Sequence, residues 1–249
     1  MKKFIKKIQE IIIMAIKKIA IISAIPDEID VFRELLRGSS TWDDKDIKIV
    51  VSGIGKAQAA AATQKVISEF QPDVLFLTGL AGSLKEDIQL GDIGIVSSAI
   101  DSEMDARAFD PSLRLGEIPF KNERVYRTSS ELVKLALNSP LNIKAFDAYC
   151  ASTSVFLDEA KKADFMNNIA PLLMDDEVGR EPDLVDMESI GFLNACEAND
   201  IPCLILKTVS NNMKGDSSIE YSSTLLNERT RTYLELVAYI ITNLPDSVK

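Results

Sequence analysis

Residues 71–84, "QPDVLFLTGLAGSL", decide how the chain is read. From Val74 to Leu77 every side chain is apolar, so no alternation marks a wet face; such a run fits a strand covered on both sides. The expected strand is 73–79, with Gly79 and Gly82 at its end, where a backbone without side chains can approach a flat ligand or an anion closely. Ala81 belongs to the same stretch and is assigned to substrate with Gly82. Similar runs recur at 17–24, 47–52, 93–100, 144–153 and 202–210. Between them, 28–36, 56–70, 130–138, 158–169, 188–199 and 221–244 carry helix formers or apolar spacing near 3.6. This alternation predicts an α/β fold: a single-domain three-layer sandwich with a central mixed β-sheet flanked by helices. The strands end in small or polar residues (Ser23–Ala24, Ser52–Gly53, Thr78–Gly79, Ser152–Thr153, Ser210–Asn211), and those ends are expected to converge on one pocket.

Composition narrows the chemistry. A net charge of −10 argues against a general nucleic-acid binder, which needs a basic face, and favours a small-molecule partner. With no histidine, serine–histidine and cysteine–histidine mechanisms are excluded, as are the commonest zinc constellations. Acid–base work must rest on carboxylates. Cys150, Cys196 and Cys203 have no paired spacing and read as buried free thiols of a reducing compartment, so the expected location is the cytoplasm. Residues 1–16 read as a basic extension, with a loosely amphipathic surface helix and Met14 as an alternative start. Gln9, Glu10, Lys17 and Lys18 break the apolar run, which argues against a signal peptide or a membrane span. The remaining 17–249 form the expected domain. No cofactor or metal motif stands in the sequence.

Several short motifs carry the candidate chemistry. "SAIPDEIDVF" places Asp27 and Glu28 just after the first strand, where acids either cap a helix or do catalytic work. "VSGIGKAQAAAAT" (51–63) is a strand, a glycine turn and an alanine-rich helix; it matches neither a P-loop nor the full dinucleotide fingerprint. "VDMESIGF" sets Asp186 and Glu188 on either side of Met187, at the start of a buried helix. Capping explains the acids equally well, yet a carboxylate beside a methionine platform also suits a ribose diol. "LKTVSNNMKGDSS" (206–218) ends a strand on Asn211 and Asn212, which is good turn chemistry and offers amides in place of an acid.

Taken in order, "IAIISAIPDEIDVFRELL", "VSGIGKAQAAAAT", "QPDVLFLTGLAGSLKEDIQLGDIGIV", "DARAF" and "VDMESIGFLNACEANDIPCLILKTVSN" resemble the 5'-methylthioadenosine/S-adenosylhomocysteine nucleosidases of the purine nucleoside phosphorylase superfamily. The resemblance runs from about Ile19 to the final helix. It implies an α/β sandwich, usually a homodimer, that hydrolyses the N-glycosidic bond of an adenine nucleoside. It assigns Glu28 to activation of the attacking water. Met187 and Glu188 pack on the ribose and bind its hydroxyls. Val155 and Phe156 fall near the segment that holds the base, and Ser210 matches a serine of the base pocket. Asn211 falls where the family carries the aspartate that protonates or hydrogen-bonds purine N7. Three further departures accompany it: Leu80 for a serine, Lys207 for an arginine, and Asp186 for a longer glutamate.

Phosphorylases of this superfamily carry an arginine at the position of Leu77 and another in the first loop, and this chain has neither. Arg107 is a candidate substitute, though a surface arginine explains it as well. Glu28 repels phosphate and suits water, so hydrolysis is favoured. Because Asn211 cannot pass on a proton, three readings stand open. One is an adenine nucleosidase helped by another acid such as Asp216. Another is a hydrolase or phosphorylase of 6-oxopurine nucleosides, futalosine-like or inosine-like, in which Asn211 pairs with the 6-oxo group. The last is a non-catalytic nucleoside-binding homologue.

Overall fold

In the computed structural model, residues 16–30, 33, 44–121, 123–211 and 223–248 are described. The apolar runs become β1 (Lys18–Ser23), β2 (Asp46–Val51), β3 (Val74–Ser83), β4 (Ile93–Asp101), β6 (Ala145–Ser152) and β8 (Cys203–Asn211). Two strands of three residues join them, β5 (Val125–Arg127) and β7 (Leu184–Asp186). The helices are α1 (Lys56–Phe70), α2 (Ser130–Leu137), α3 (Glu159–Asp164), α4 (Ser189–Ala198) and α5 (Ser223–Thr242). The expected helix at 28–36 falls partly outside the described residues; its visible start, Pro26–Glu28, is a 3-10 turn. The expected extension lies outside them too, apart from Ile16.

The eight strands of the described residues belong to one mixed sheet. β1 pairs in parallel with β2 and β3, and β3 with β8. β4 runs antiparallel to β8 but parallel to β6. β7 then pairs in parallel with β6 and antiparallel with the end of β3. The chain β3–β8–β4–β6–β7–β3 therefore closes on itself, and half of the sheet curls into a small barrel. Side-chain alternation divides the interior. Ala20, Ile22, Leu75, Leu77 and Ile205 face α1 and α4. Ile19, Ile21, Val74, Phe76, Leu204 and Leu206 face α2 and α5. Burying about ten such side chains on both faces is the main stabilising term, at about 1.5–3 kcal/mol each.

β3 does not stop at Gly79 as expected; it continues to Ser83. Two close approaches explain why glycine is used inside a strand here. A Cβ on Gly79 would lie 3.0 Å from Glu28 Oε1, and one on Gly82 would lie 2.7 Å from Asn211 Oδ1. The ladder with β8 also slips at this point: Ala81 faces Val209 and Gly82 faces Asn211, leaving Ser210 as the extra residue of a bulge. A bulge re-aims side chains. Without it, Ser210 and Asn211 would point to opposite faces of the sheet; with it, both reach the same cavity.

Candidate active site

The turn after β1 carries Glu28, whose residue is 3% exposed. Pro26 starts the turn, and the carboxylate folds back to accept N–H bonds from Ala24 (2.9 Å) and Ile25 (3.2 Å). Leu80 N–H of β3 donates a third at 3.2 Å. From behind, the Tyr233 hydroxyl of α5 donates to the Glu28 carbonyl. Burial raises the Glu28 carboxyl above the ordinary glutamate range; Lys207 and the Ile25 N–H pull it down, while Glu188 pushes it up.

Glu188 sits at the start of α4. Its Oε1 accepts from Gly55 N–H at 3.1 Å, and its Oε2 lies 3.2 Å from Lys207 Nζ. Gly55 has φ +104, which a side chain would resist, so the glycine turn of "SGIG" is what aims that N–H. Lys207 is itself 1% exposed and bonds Asp186 Oδ2 at 2.9 Å. Burial works to lower its pKa, but Asp186, Glu188 and Glu28 prevail and raise it, so it stays charged. Asp186 also accepts from Ser189 N–H, the first of α4, and, at 2.6 Å, from Ser189 Oγ–H.

All ten expected site residues line one cavity: Glu28, Ala81, Gly82, Val155, Phe156, Asp186, Met187, Glu188, Ser210 and Asn211. They do not present themselves alike. Glu28 and Glu188 open onto it from two strand ends, while the Asp186 carboxylate is turned away into its contacts with Lys207 and Ser189, with its side chain fully buried. Asn211 is 4% exposed and, among the described residues, its Oδ1 has no hydrogen-bond partner. Met187 is half-buried, whereas Val155 and Phe156 stand about half exposed at the rim. That rim is held by Glu103, which accepts from Thr153 Oγ1, Ser154 N–H and Ser154 Oγ and is bound by Lys56 Nζ at 2.7 Å. Burial would raise the Glu103 carboxyl, but the hydrogen bonds from Lys56 and Ser154 hold it down at about 2.

Arg107 does not serve as a phosphate donor here: it is paired with Asp105 at 2.7 Å, its side chain is 42% exposed, and it does not line the cavity. Asn212 and Asp216 lie outside the described residues. Of the expected strand ends, Ala24, Thr153, Ser210 and Asn211 reach the cavity; beyond Ser52–Gly53 and Thr78–Gly79 it is Ile54 and Leu80 that do. One charged residue of the lining was not anticipated. Lys162 of α3 is 3% exposed and faces the cavity. The signal was present in "EAKKADFMNNI": helical spacing puts Lys162 on the same face as Phe165, Met166 and Ile169.

A family model described as the phosphorylase superfamily matches residues 18–244. The chain is 25% identical over 222 residues to the 5'-methylthioadenosine/S-adenosylhomocysteine nucleosidase of Anoxybacillus flavithermus, a match covering 83% of this chain and 90% of that protein. It also superposes on an aspartate-to-asparagine mutant of the Helicobacter pylori nucleosidase that holds 5'-methylthioadenosine in its active site. There the TM-score is 0.78 and the identity 23%, over 92% of this chain and 99% of that one. The futalosine hydrolase of Helicobacter pylori gives a TM-score of 0.78 at 22% identity, over 92% and 99% of the two chains. These structural likenesses show the fold, and the family match spans nearly all of the sequence: the chain belongs to the phosphorylase superfamily.

Proposed function

We propose that this protein hydrolyses the N-glycosidic bond of a purine nucleoside of the 5'-methylthioadenosine/S-adenosylhomocysteine type, releasing adenine and the ribosyl product. One observation carries this reading: Glu28 and Glu188, 160 positions apart in the chain, open onto the same cavity. Breaking C1'–N9 develops positive charge on the sugar and negative charge on the base, as in glycoside hydrolysis generally. Glu28, anchored by three N–H donors and raised in pKa by burial, takes a proton from the attacking water. Glu188, fixed by Gly55 and Lys207, accepts the ribose hydroxyls beside the Met187 side chain. Ala81, Gly82, Val155 and Phe156 hold the base, with Ser210 below it.

The amide of Asn211 favours adenine. It offers one acceptor and one donor, which match the N6–H and N7 of adenine, whereas a 6-oxopurine presents two acceptors on that edge. Water is the nucleophile because two carboxylates stand where phosphate would have to bind. The homologous nucleosidases support the same choice. A homodimer in the cytoplasm suits the surface and the thiols. Phe109 and Phe120 are 70% and 97% exposed and meet edge to face, and the three cysteines are free and buried.

The test is free-base release from methylthioadenosine, adenosylhomocysteine, inosine and futalosine, with and without phosphate. Adenine from the first two without phosphate is expected. Release only with added phosphate, or tight binding without turnover, overturns the proposal.

A further inference from the structure

Asn211 cannot protonate a departing purine, so the negative charge on the base needs another partner. Register locates the end of the cavity where that partner must stand. Gly82 is flanked on one side by Asn211 and on the other by Val185, and a Cβ built on Gly82 would touch both side chains. Val185 packs in one cluster with Leu157 and Phe165, the residues that flank α3. Lys162 lies on α3 between these two and lines the same cavity. Glu28 and Glu188 are fixed at the other end by Ala24, Leu80 and Gly55. The two fixed carboxylates thus stand at one end of the cavity, and Lys162 belongs to the lining at the other. A second observation marks the base end as a ligand position: the Asn211 Oδ1 is buried there with no hydrogen-bond partner among the described residues.

Resting on the nucleosidase reading, we infer that Lys162 is a catalytic residue that stabilises the departing base, the task Asn211 cannot perform. The C1'–N9 bond breaks with its electron pair passing to the purine. The water oxygen bonds C1' and its proton goes to Glu28. The purine anion forms beside the Lys162 ammonium, takes a proton from it, and leaves neutral. The proton on Glu28 returns to solvent, from which Lys162 is recharged. In a site where water is largely excluded, a fixed cation acts on that charge more strongly than in bulk solution.

The experiment compares two substrates sharing one sugar: 5'-methylthioadenosine, and the 4-nitrophenyl glycoside of 5-methylthioribose, whose phenolate leaves without protonation. Lys162→Met is expected to lower kcat on methylthioadenosine by about a hundredfold, with KM nearly unchanged. On the nitrophenyl glycoside it should change kcat by less than about threefold, and that assay also reports whether the variant is folded. Lys162→Arg keeps the charge but is too weak an acid to pass on a proton, so it should recover only a minor part of the loss; Lys162→Gln replaces the methionine variant should that one not fold. Equal losses on both substrates, or full activity of Lys162→Met on methylthioadenosine, overturn the inference while leaving the nucleosidase reading in place. A wild-type chain that releases base from no nucleoside overturns that reading itself.

Discussion

At the scale of single residues, the site is a set of side chains held in costly places by the backbone. Glu28 is an acid buried against three N–H donors, and burial dominates its ionisation. For a base the consequence is directional. kcat/KM should fall on acidification as Glu28 takes up a proton, with the limb lying above 4.5, the ordinary glutamate value. Glu28→Gln keeps the shape but cannot accept a proton, so kcat should drop by about a hundredfold to ten-thousandfold and that limb should disappear. A variant with near-normal kcat removes Glu28 from the mechanism. Asn211 poses the opposite question. An aspartate in its place would be buried, hence protonated more readily than in water, and able to donate to purine N7. Asn211→Asp should therefore raise adenine-nucleoside turnover by about tenfold. No gain in steady-state assays would show that residue 211 does not reach purine N7.

At the scale of elements, α1 and α4 position Glu188 together. Gly191 of α4 sits so close to the first turn of α1 that a Cβ there would fall 1.8 Å from the Lys56 carbonyl oxygen. Gly191→Ala must push the two helices apart, which moves the Gly55 N–H off Glu188. The expected result is a loss of about 1–3 kcal/mol in thermal unfolding together with a raised KM, since Glu188 is the residue proposed to bind the ribose. Unchanged KM in a folded variant would show that the glycine turn does not aim Glu188. This contact was not legible in "ESIGFLNACEAN", where the apolar character all round announced burial but not what the helix touches. The long strands were legible because each spans six residues or more and carries a largely apolar, β-branched or aromatic stretch. β5 and β7, at three residues, carry too little pattern to see, yet β7 is what closes the sheet. The bulge at Ser210 was equally silent, because it depends on the partner strand and not on local sequence. Lys162 was missed for a different reason: its neighbour Lys161 is an ordinary exposed lysine paired with Asp158, and the two look alike until the helix face is drawn.

At the scale of the whole molecule, one buried lysine joins the charges the barrel brings together. Lys207, on β8, reaches Asp186 and Glu188 and also holds down the pKa of Glu28. Its own folded-state pKa is raised, so its contribution to stability is complete below the unfolded lysine value and is lost only at strongly alkaline pH. Lys207→Met fills the same space without the charge and leaves three buried carboxylates facing one another. Destabilisation of about 3–5 kcal/mol at neutral pH is expected. The loss should also acquire a pH dependence. With the lysine gone, the Glu28 carboxyl, already raised by burial, loses the cation that pulls it down and rises further, so the variant is least impaired in acid and grows weaker as pH rises through that value. Removing the cation that lowers Glu28 should move the acid limb of kcat/KM upward as well. Denaturant unfolding from pH 4 to 8, paired with the pH–rate profile, reads both effects on one protein. A stability loss independent of pH with an unmoved limb would mean that Lys207 only fills volume, and that Glu28 and Glu188 do not share a field.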